Sequence, residues 1–276
     1  MRFSLIGYPL SHSVSPYIHQ QLFKYNSINA TYVNTEISPD DLNLRSFMTE
    51  YDGINVTIPH KTSVISSLDK LVDEAEYLNT VNTIKKIDNK LYGYNTDAYG
   101  FLTSLKMADI SLKGNVLLCG AGGTARMICC LAAKFGCNVT ISSRKNSIER
   151  AKKLANDVNN QFNSNVIVKS QDEINDNYDL LINATPAGMY PKNIDITPVE
   201  KSVINNCNAV FDAVYNPKDT LLIKTAKMNG AKVAYGMPML VYQAAKAQNI
   251  WLGAEFDDDF LQALINDTNE YITNQF

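Results

Sequence analysis

Short runs of apolar and β-branched residues alternate with longer helical patterns along the whole chain, which is how an α/β protein writes its strands and helices. Between positions 115 and 236 the strand-like runs are NVLLC (115–119), NVTIS (138–142), NVIV (165–168), YDLLIN (178–183), AVFDAV (209–214) and AKVAY (231–235). Six such runs separated by helical patterns predict a parallel sheet covered on both faces, the size of a complete dinucleotide-binding fold. The first part, 1 to about 97, alternates as well: FSLIG, a helix from Pro16, TYVNTEI, a helix from Pro39, then GINVTIP. Ser15-Pro16 and Ser38-Pro39 each place a capping hydroxyl before a proline at the first helical position. Asp40 and Asp41 add favourable charge to the first turn of the second helix. A connecting helix is expected at GFLTSLKM, and two more helical patterns, MLVYQAAKAQNIW and DDFLQALINDTNEYI, follow Gly236. No strand remains in the second sheet for these last helices to cover, so they are expected to pack back onto the first part. The expected organisation is therefore one domain of 1–97 with 238–276, a second of 98–237, and a central cleft between them.

Composition narrows the classes of partner. The chain has 276 residues, 45% of them hydrophobic, enough to bury a sizeable core. Its 25 basic and 28 acidic residues give a formal net charge of -3 without long charge runs. That balance offers no electrostatic footprint for nucleic acid or an anionic membrane, so any positive charge that matters is local. Cys119, Cys129, Cys130, Cys137 and Cys207 are odd in number and sit in apolar segments, which reads as buried thiols rather than a disulfide framework. His12, His19 and His60 are the only histidines and have no ligand at zinc spacing, so no metal is expected. The four-residue apolar stretch before Gly7 is too short for a signal-peptide core, and no later stretch approaches a membrane span. A cytoplasmic location is the expectation.

The first run of the second domain leads into Gly120-Ala121-Gly122-Gly123-Thr124-Ala125, a G-x-G-x-x-A pattern between a strand and a helix. Gly120 suits the tight turn, Gly122 lets the backbone approach a pyrophosphate, and Ala125 keeps helix and strand close. Alone the pattern is weak; at the head of a six-strand alternation it points to a dinucleotide. About 20 residues on, where an NAD-binding protein carries an acidic residue for the ribose, the chain reads Ser143-Arg144-Lys145. A guanidinium and an ammonium without a carboxylate suit a 2'-phosphate, with Arg150 as a further charge, so NADP is the expected cofactor.

Small polar segments interrupt the apolar strands at SHSVSP, NVTIPHK, NTVNT, YNTD and GMPMLVYQ. Polar groups at strand ends can hold a polyhydroxylated ligand. Singly, each has a plainer role: Ser15 as a helix cap, Lys61 as a solvated lysine, Asn82 or Asn95 in turns, Asp97 as the cap of the next helix.

In this order, however, the segments resemble the shikimate dehydrogenase family over almost the whole chain. The resemblance runs through Gly7-Tyr8-Pro9, Ser11-His12-Ser13-Val14-Ser15-Pro16, Asn55-Val56-Thr57-Ile58-Pro59-His60-Lys61, Val81-Asn82-Thr83 and Asn95-Thr96-Asp97. It continues through the glycine pattern, Asn183-Ala184-Thr185-Pro186-Ala187-Gly188-Met189, Asp212-Ala213-Val214-Tyr215-Asn216-Pro217 and Met239-Leu240-Val241-Tyr242-Gln243-Ala244. It implies an α/β substrate domain completed by the C-terminal helices, a Rossmann-type NADP-binding domain, and interconversion of 3-dehydroshikimate and shikimate in aromatic amino-acid precursor synthesis. It also implies Lys61 and Asp97 as the catalytic pair. Ser13 and Ser15, helped by Tyr215, would take the substrate carboxylate, and Thr57, Asn82 and Gln243 the ring hydroxyls. Thr185 and Gly236 would join the glycine loop and Ser143-Arg144-Lys145 on the cofactor side.

The chain departs from the family pattern at Ser143-Arg144-Lys145, where many relatives read Asn-Arg-Thr, and at Pro238, where some have glycine. Two alternatives stay open from residues alone: a quinate/shikimate enzyme of broader substrate or NAD use, and a non-catalytic NADP or metabolite sensor. Retention of both Lys61 and Asp97 argues against the sensor. Monomer and homodimer are both compatible with the sequence.

Overall fold

Apolar runs and turn residues sort this chain into two six-stranded sheets, as seen in a computed structural model that describes residues 1–10, 13–40 and 44–275. Ser11, His12 and Asp41, named above, lie outside the described residues. In chain order the first elements are β1 (Arg2–Gly7), α1 (Ser15–Tyr25), β2 (Thr31–Glu36), α2 (Leu44–Met48), β3 (Gly53–Val56), β4 (Lys70–Leu71), α3 (Glu74–Leu78), β5 (Thr83–Ile87) and β6 (Lys90–Tyr94). After α4 (Asp97–Met107) come β7 (Asn115–Cys119), α5 (Gly123–Lys134), β8 (Asn138–Ser143), α6 (Ile148–Phe162), β9 (Ile167–Ser170), β10 (Tyr178–Asn183) and α7 (Lys201–Asn205). The chain ends with β11 (Cys207–Asp212), α8 (Leu221–Met228), β12 (Lys232–Tyr235), α9 (Gly236–Leu252) and α10 (Asp258–Gln275). Two compact units result, 1–100 with 240–276 and 101–239. No helix among the described residues is long and apolar enough to cross a membrane.

The first unit's sheet runs β2-β1-β3-β5-β6-β4 and is mixed: β1 lies parallel to β2 and β3, while β5 runs antiparallel to both β3 and β6. Ile6, Ile54, Val56, Ile84 and Leu91 are all buried in its core. The second unit's sheet, β12-β11-β10-β7-β8-β9, is parallel throughout and has the strand order of a Rossmann fold. Its order reverses between β7 and β10, the place where such sheets take a ligand at their carboxyl ends.

Several expectations need correction. Ser15 does not cap α1: it is the first helical residue, Val14 holds the cap position, and no side chain caps it. The hydroxyl of Ser13 instead accepts the Ser15 N–H at 3.4 Å, while the Ser13 N–H donates to Leu10 O at 3.0 Å. No helix starts at Pro39 either; Ser38 accepts the Asp40 N–H at 3.4 Å, closing a turn, and the helix is the single turn Leu44–Met48. The run at 165–168 starts its ladder two residues late, since the Asn159 side chain occupies both backbone groups of Val166. The run at 209–214 ends at Asp212, whose carboxylate takes the Val214 N–H.

The sequence reading had three strands in the first part, and the hairpin β5–β6 went unread. Its signal was present in Asp88-Asn89, whose φ values of 48° and 62° place both residues in the left-handed region that a tight two-residue hairpin turn requires.

Under the sheet, α1 meets α9 through His19, which is fully buried, stacks on Tyr32 with ring centroids 4.0 Å apart, and accepts at its carbonyl from Gln248 Nε2 at 3.0 Å. Burial holds the imidazole neutral, its pKa lowered from 6.5 to about 3. Between those values the unfolded chain binds a proton that the folded chain refuses, so stability is full above pH 6.5 and falls as the pH drops below it. Going from pH 7 to 5 should cost the protein about 2 kcal/mol through this group alone. Urea unfolding of the protein and of His19→Phe at both pH values checks this, and equal pH dependence in the two would contradict it.

Candidate active site

The hairpin is what assembles the first unit's polar cluster. Because Thr83 pairs with Tyr94 across β5 and β6, the residues just outside the ladder, Asn82 on one side and Asn95-Thr96-Asp97 on the other, face each other. Asn95, rather than Asp97, caps α4: its Oδ1 accepts the Ala98 N–H at 3.2 Å while its Nδ2 donates to Thr80. Asp97 is thereby left free in the first turn, where the helix dipole favours a carboxylate. Lys61 arrives from the segment after β3, which is pinned by the buried His60 ring donating to Ile37 O at 2.7 Å and by Lys61 O accepting from Val81 N at 2.8 Å.

Lys61 Nζ lies 2.6 Å from Asp97 Oδ2, with the two side chains only 12% and 9% exposed. Asn82 Nδ2 donates to the other oxygen, Asp97 Oδ1, at 2.9 Å. The amide of Asn82 has one possible orientation, since its Oδ1 accepts the backbone N–H of Thr96 at 2.7 Å, and a backbone N–H only donates. Gln243, on α9, brings its Oε1 to 3.2 Å from Asn82 Nδ2 and donates from Nε2 to Leu240 O at 2.9 Å. Four expected site residues, Lys61, Asp97, Asn82 and Gln243, thus form one cluster. Ser13, Ser15 and Thr57 are half-buried and have no hydrogen bond to it among the described residues. Tyr215 belongs to the second unit, in the segment after β11. Sequence reading gave Thr96, Thr83 and Asn55 no role, because a backbone N–H or a buried relay hydroxyl has no signature of its own.

The cluster can do two things. A cation and a carboxylate in contact can deliver and recover a proton at an oxygen placed against them, and the surrounding amides can hold hydroxyl groups as donors or acceptors.

The second unit carries a cradle suited to a dinucleotide. Gly120 has φ 115°, and a Cβ there would meet Ala184 O at 2.9 Å, so only glycine makes this turn. At Gly122 a Cβ would find nothing closer than Arg150 Nη2 at 4.0 Å, which leaves open space beside a guanidinium at the N-terminus of α5. Ala121, Gly123 and Thr124 line this bend half-buried, and Ala125 is fully buried against the sheet. Ser143 is buried at the end of β8; Arg144 and Lys145 beyond it are exposed, and Lys145 lies 3.8 Å from Asp172 in an exposed pair that contributes little. Backbone room, a helix N-terminus and the exposed guanidiniums of Arg144 and Arg150 fit a phosphorylated dinucleotide.

Thr185 donates from both N and Oγ1 to Asn183 Oδ1, whose Nδ2 in turn donates to Ala187 O and Asp212 Oδ1. Thr220 Oγ1 donates to Asp212 Oδ2 at 2.6 Å, so the segments following β10 and β11 are tied through one carboxylate. Burial raises the pKa of Asp212 to about 6 against those hydrogen bonds. Gly236 has no room for a side chain, a Cβ there falling 2.4 Å from Ala213 O.

The sequence profile described as "Shikimate dehydrogenase substrate binding domain" matches residues 5–84. A shikimate dehydrogenase (NADP(+)) of Clostridium beijerinckii is 40% identical over 271 residues, covering 95% of this chain and 96% of that protein. The crystal structure of shikimate dehydrogenase 1 from Peptoclostridium difficile superposes with a TM-score of 0.87 at 36% identity, covering 98% of each chain. That of the Thermus thermophilus shikimate 5-dehydrogenase, in complex with NADP(H) and shikimate, superposes with a TM-score of 0.84 at 29% identity, covering 97% of this chain and 99% of that one.

Replacing Asn82 by Ala should leave the buried Thr96 N–H without its acceptor and lower the unfolding free energy by about 2 kcal/mol. Denaturant unfolding at neutral pH measures the loss; a change within error would mean that water reaches the pocket and replaces the amide.

Proposed function

Because the chain belongs to the shikimate dehydrogenase family, we propose that it interconverts 3-dehydroshikimate and shikimate with NADP(H), Lys61 and Asp97 moving the proton. The observation that carries this reading is the contact of the largely buried Lys61 Nζ with Asp97 Oδ2 at 2.6 Å, with Asn82 Nδ2 on the other carboxylate oxygen. NADPH, when bound at the Gly120 turn, supplies the hydride. In the reducing direction the lysine ammonium faces the substrate oxygen, stabilises the negative charge that develops there, and donates its proton to it. Asp97 holds the ammonium in place through Oδ2, while Asn82, at Oδ1, stops the carboxylate from rotating away. In the oxidising direction Lys61 takes the hydroxyl proton back. Asn82, Gln243 and Thr57 hold ring hydroxyls, and Ser13, Ser15 and Tyr215 take the carboxylate. At the start of α1 the Ser15 hydroxyl makes no cap and remains available to a ligand. Arg144 takes the 2'-phosphate, with Lys145 and Arg150 as supporting charges, and Ser143, Thr185 and Gly236 lie beside the cofactor. The substrate side belongs to the unit of 1–100 with 240–276 and the cofactor side to that of 101–239, and the protein works as a monomer or homodimer in the cytoplasm.

Reduced-nicotinamide absorbance should rise when the protein is mixed with shikimate and NADP. In Lys61→Ala, turnover should fall by ~10²-fold or more while NADP affinity holds. Wild-type protein inert with shikimate under both NADP and NAD would reject the reading, and full turnover in Lys61→Ala would remove the lysine from the chemistry. Arg144→Ala should raise the Kd for NADP by roughly 10-fold and leave that for NAD unchanged, a difference that fluorescence titration with both cofactors resolves.

A further inference from the structure

We infer that Tyr32, Asn55 and Thr83 form a positioning relay that sets the orientation of Asn82 and, through it, of the Lys61–Asp97 pair. This rests on the reaction proposed above only in its kinetic consequence; the relay itself is a matter of donor direction.

The links from Tyr32 to Asn55 and from Asn55 to Asn82 O have a fixed sense. The Asn82 backbone carbonyl only accepts, so the Asn55 atom 3.1 Å from it is Nδ2, and Asn55 Oδ1 must face Tyr32. Tyr32 therefore donates its hydroxyl proton to Asn55 Oδ1, at 2.8 Å. Burial raises the Tyr32 pKa well above the usual value near 10, so that proton stays in place. Asn55 Nδ2 also donates to Thr83 Oγ1 at 3.1 Å, and Thr83 Oγ1 in turn lies 3.1 Å from Asn82 Oδ1, to which it donates, and 3.1 Å from Thr96 Oγ1, where either hydroxyl can be the donor. Asn82 Nδ2 then donates to Asp97 Oδ1. Tyr32 donates, and Asn55, Thr83 and Asn82 each accept on one side and donate on the other, an arrangement in which hydrogen bonds polarise and strengthen one another.

The fold holds both ends of this chain. Asn55 and Thr83 are directly opposed in the antiparallel pair of β3 with β5, and both are buried. Tyr32 reaches them across β1 from β2, with its ring fixed by the stack on His19. None of the three residues contacts Lys61 or Asp97 through a hydrogen bond among the described residues, so they act by positioning and not as catalytic residues.

The test compares wild type with Tyr32→Phe and Thr83→Val, each of which removes one hydroxyl and keeps the side chain's shape. The first readout needs no substrate: the side-chain amide resonance of Asn82 in ¹⁵N-labelled protein, assigned by its loss in Asn82→Ala. The second is kcat and KM for shikimate oxidation with NADP. Both variants should move the Asn82 resonance and lower kcat roughly 10-fold, with KM for shikimate nearly constant. An unmoved resonance in a folded variant overturns the relay, as does a moved resonance with unchanged kcat, or a fall in kcat with the resonance in place. Should Tyr32→Phe fail to fold, Thr83→Val decides by the same criteria. A wild-type protein that does not oxidise shikimate would defeat the preceding functional reading, while the resonance would still report on the relay.

Discussion

A carboxylate that is nine-tenths enclosed stays useful only if donors meet both of its oxygens, and the Asp97 carboxylate is where the first unit satisfies that condition. The two donors come from distant points of the chain: Lys61 from the segment after β3, and Asn82 from the threshold of β5. Neither reaches Asp97 unless the β5–β6 hairpin is in register and α4 begins where Asn95 starts it. Hairpin turn, helix cap and sheet order therefore converge on one ion pair. That convergence explains why so many small polar residues sit at the ends of otherwise apolar strands.

The second unit meets the same constraint without a cation. Asp212 is as deeply enclosed, and its partners, Asn183, Thr220 and the Val214 N–H, are neutral. Burial accordingly dominates and lifts its pKa to about 6, whereas its hydrogen bonds pull the other way. Its service is structural, tying the segments after β10 and β11 beside the glycine turn. The two units also differ in what they offer: the second has backbone room at Gly120 and Gly122 and a helix N-terminus, the first a cluster of buried polar side chains.

The parallel sheet was legible from its apolar runs, and the glycine turn from its spacing, because both depend on local sequence. Lys61 and Asp97 stand 36 residues apart, and no periodicity links them; only the ordered motifs of a family did so. Choices between neighbouring polar residues were lost: Ser13 in place of Ser15 beneath α1, Asn95 in place of Asp97 at α4. At α4 such alternatives differ by about 1 kcal/mol of capping energy, and at α1 no side chain caps the helix at all. The Thr96 N–H, which fixes Asn82, carries no side-chain signal at all.

Within the cluster, hydrogen-bonding capacity is unevenly used. Asn82 Nδ2 has two protons and three acceptors around it: Asp97 Oδ1 and Thr96 Oγ1, each at 2.9 Å, and Gln243 Oε1 at 3.2 Å. The most distant acceptor is the least served, and its second contact, with Thr96 Oγ1, is longer still at 3.4 Å. Gln243 also has one amide proton beyond the bond to Leu240 O. It can therefore both donate to and accept from a hydroxyl, which is what a ring alcohol needs on entering a pocket without leaving a polar group unpaired. Lys61 and Asp97 already balance each other's charge, so this cluster can trade hydrogen bonds with neutral hydroxyl groups without gaining a charge.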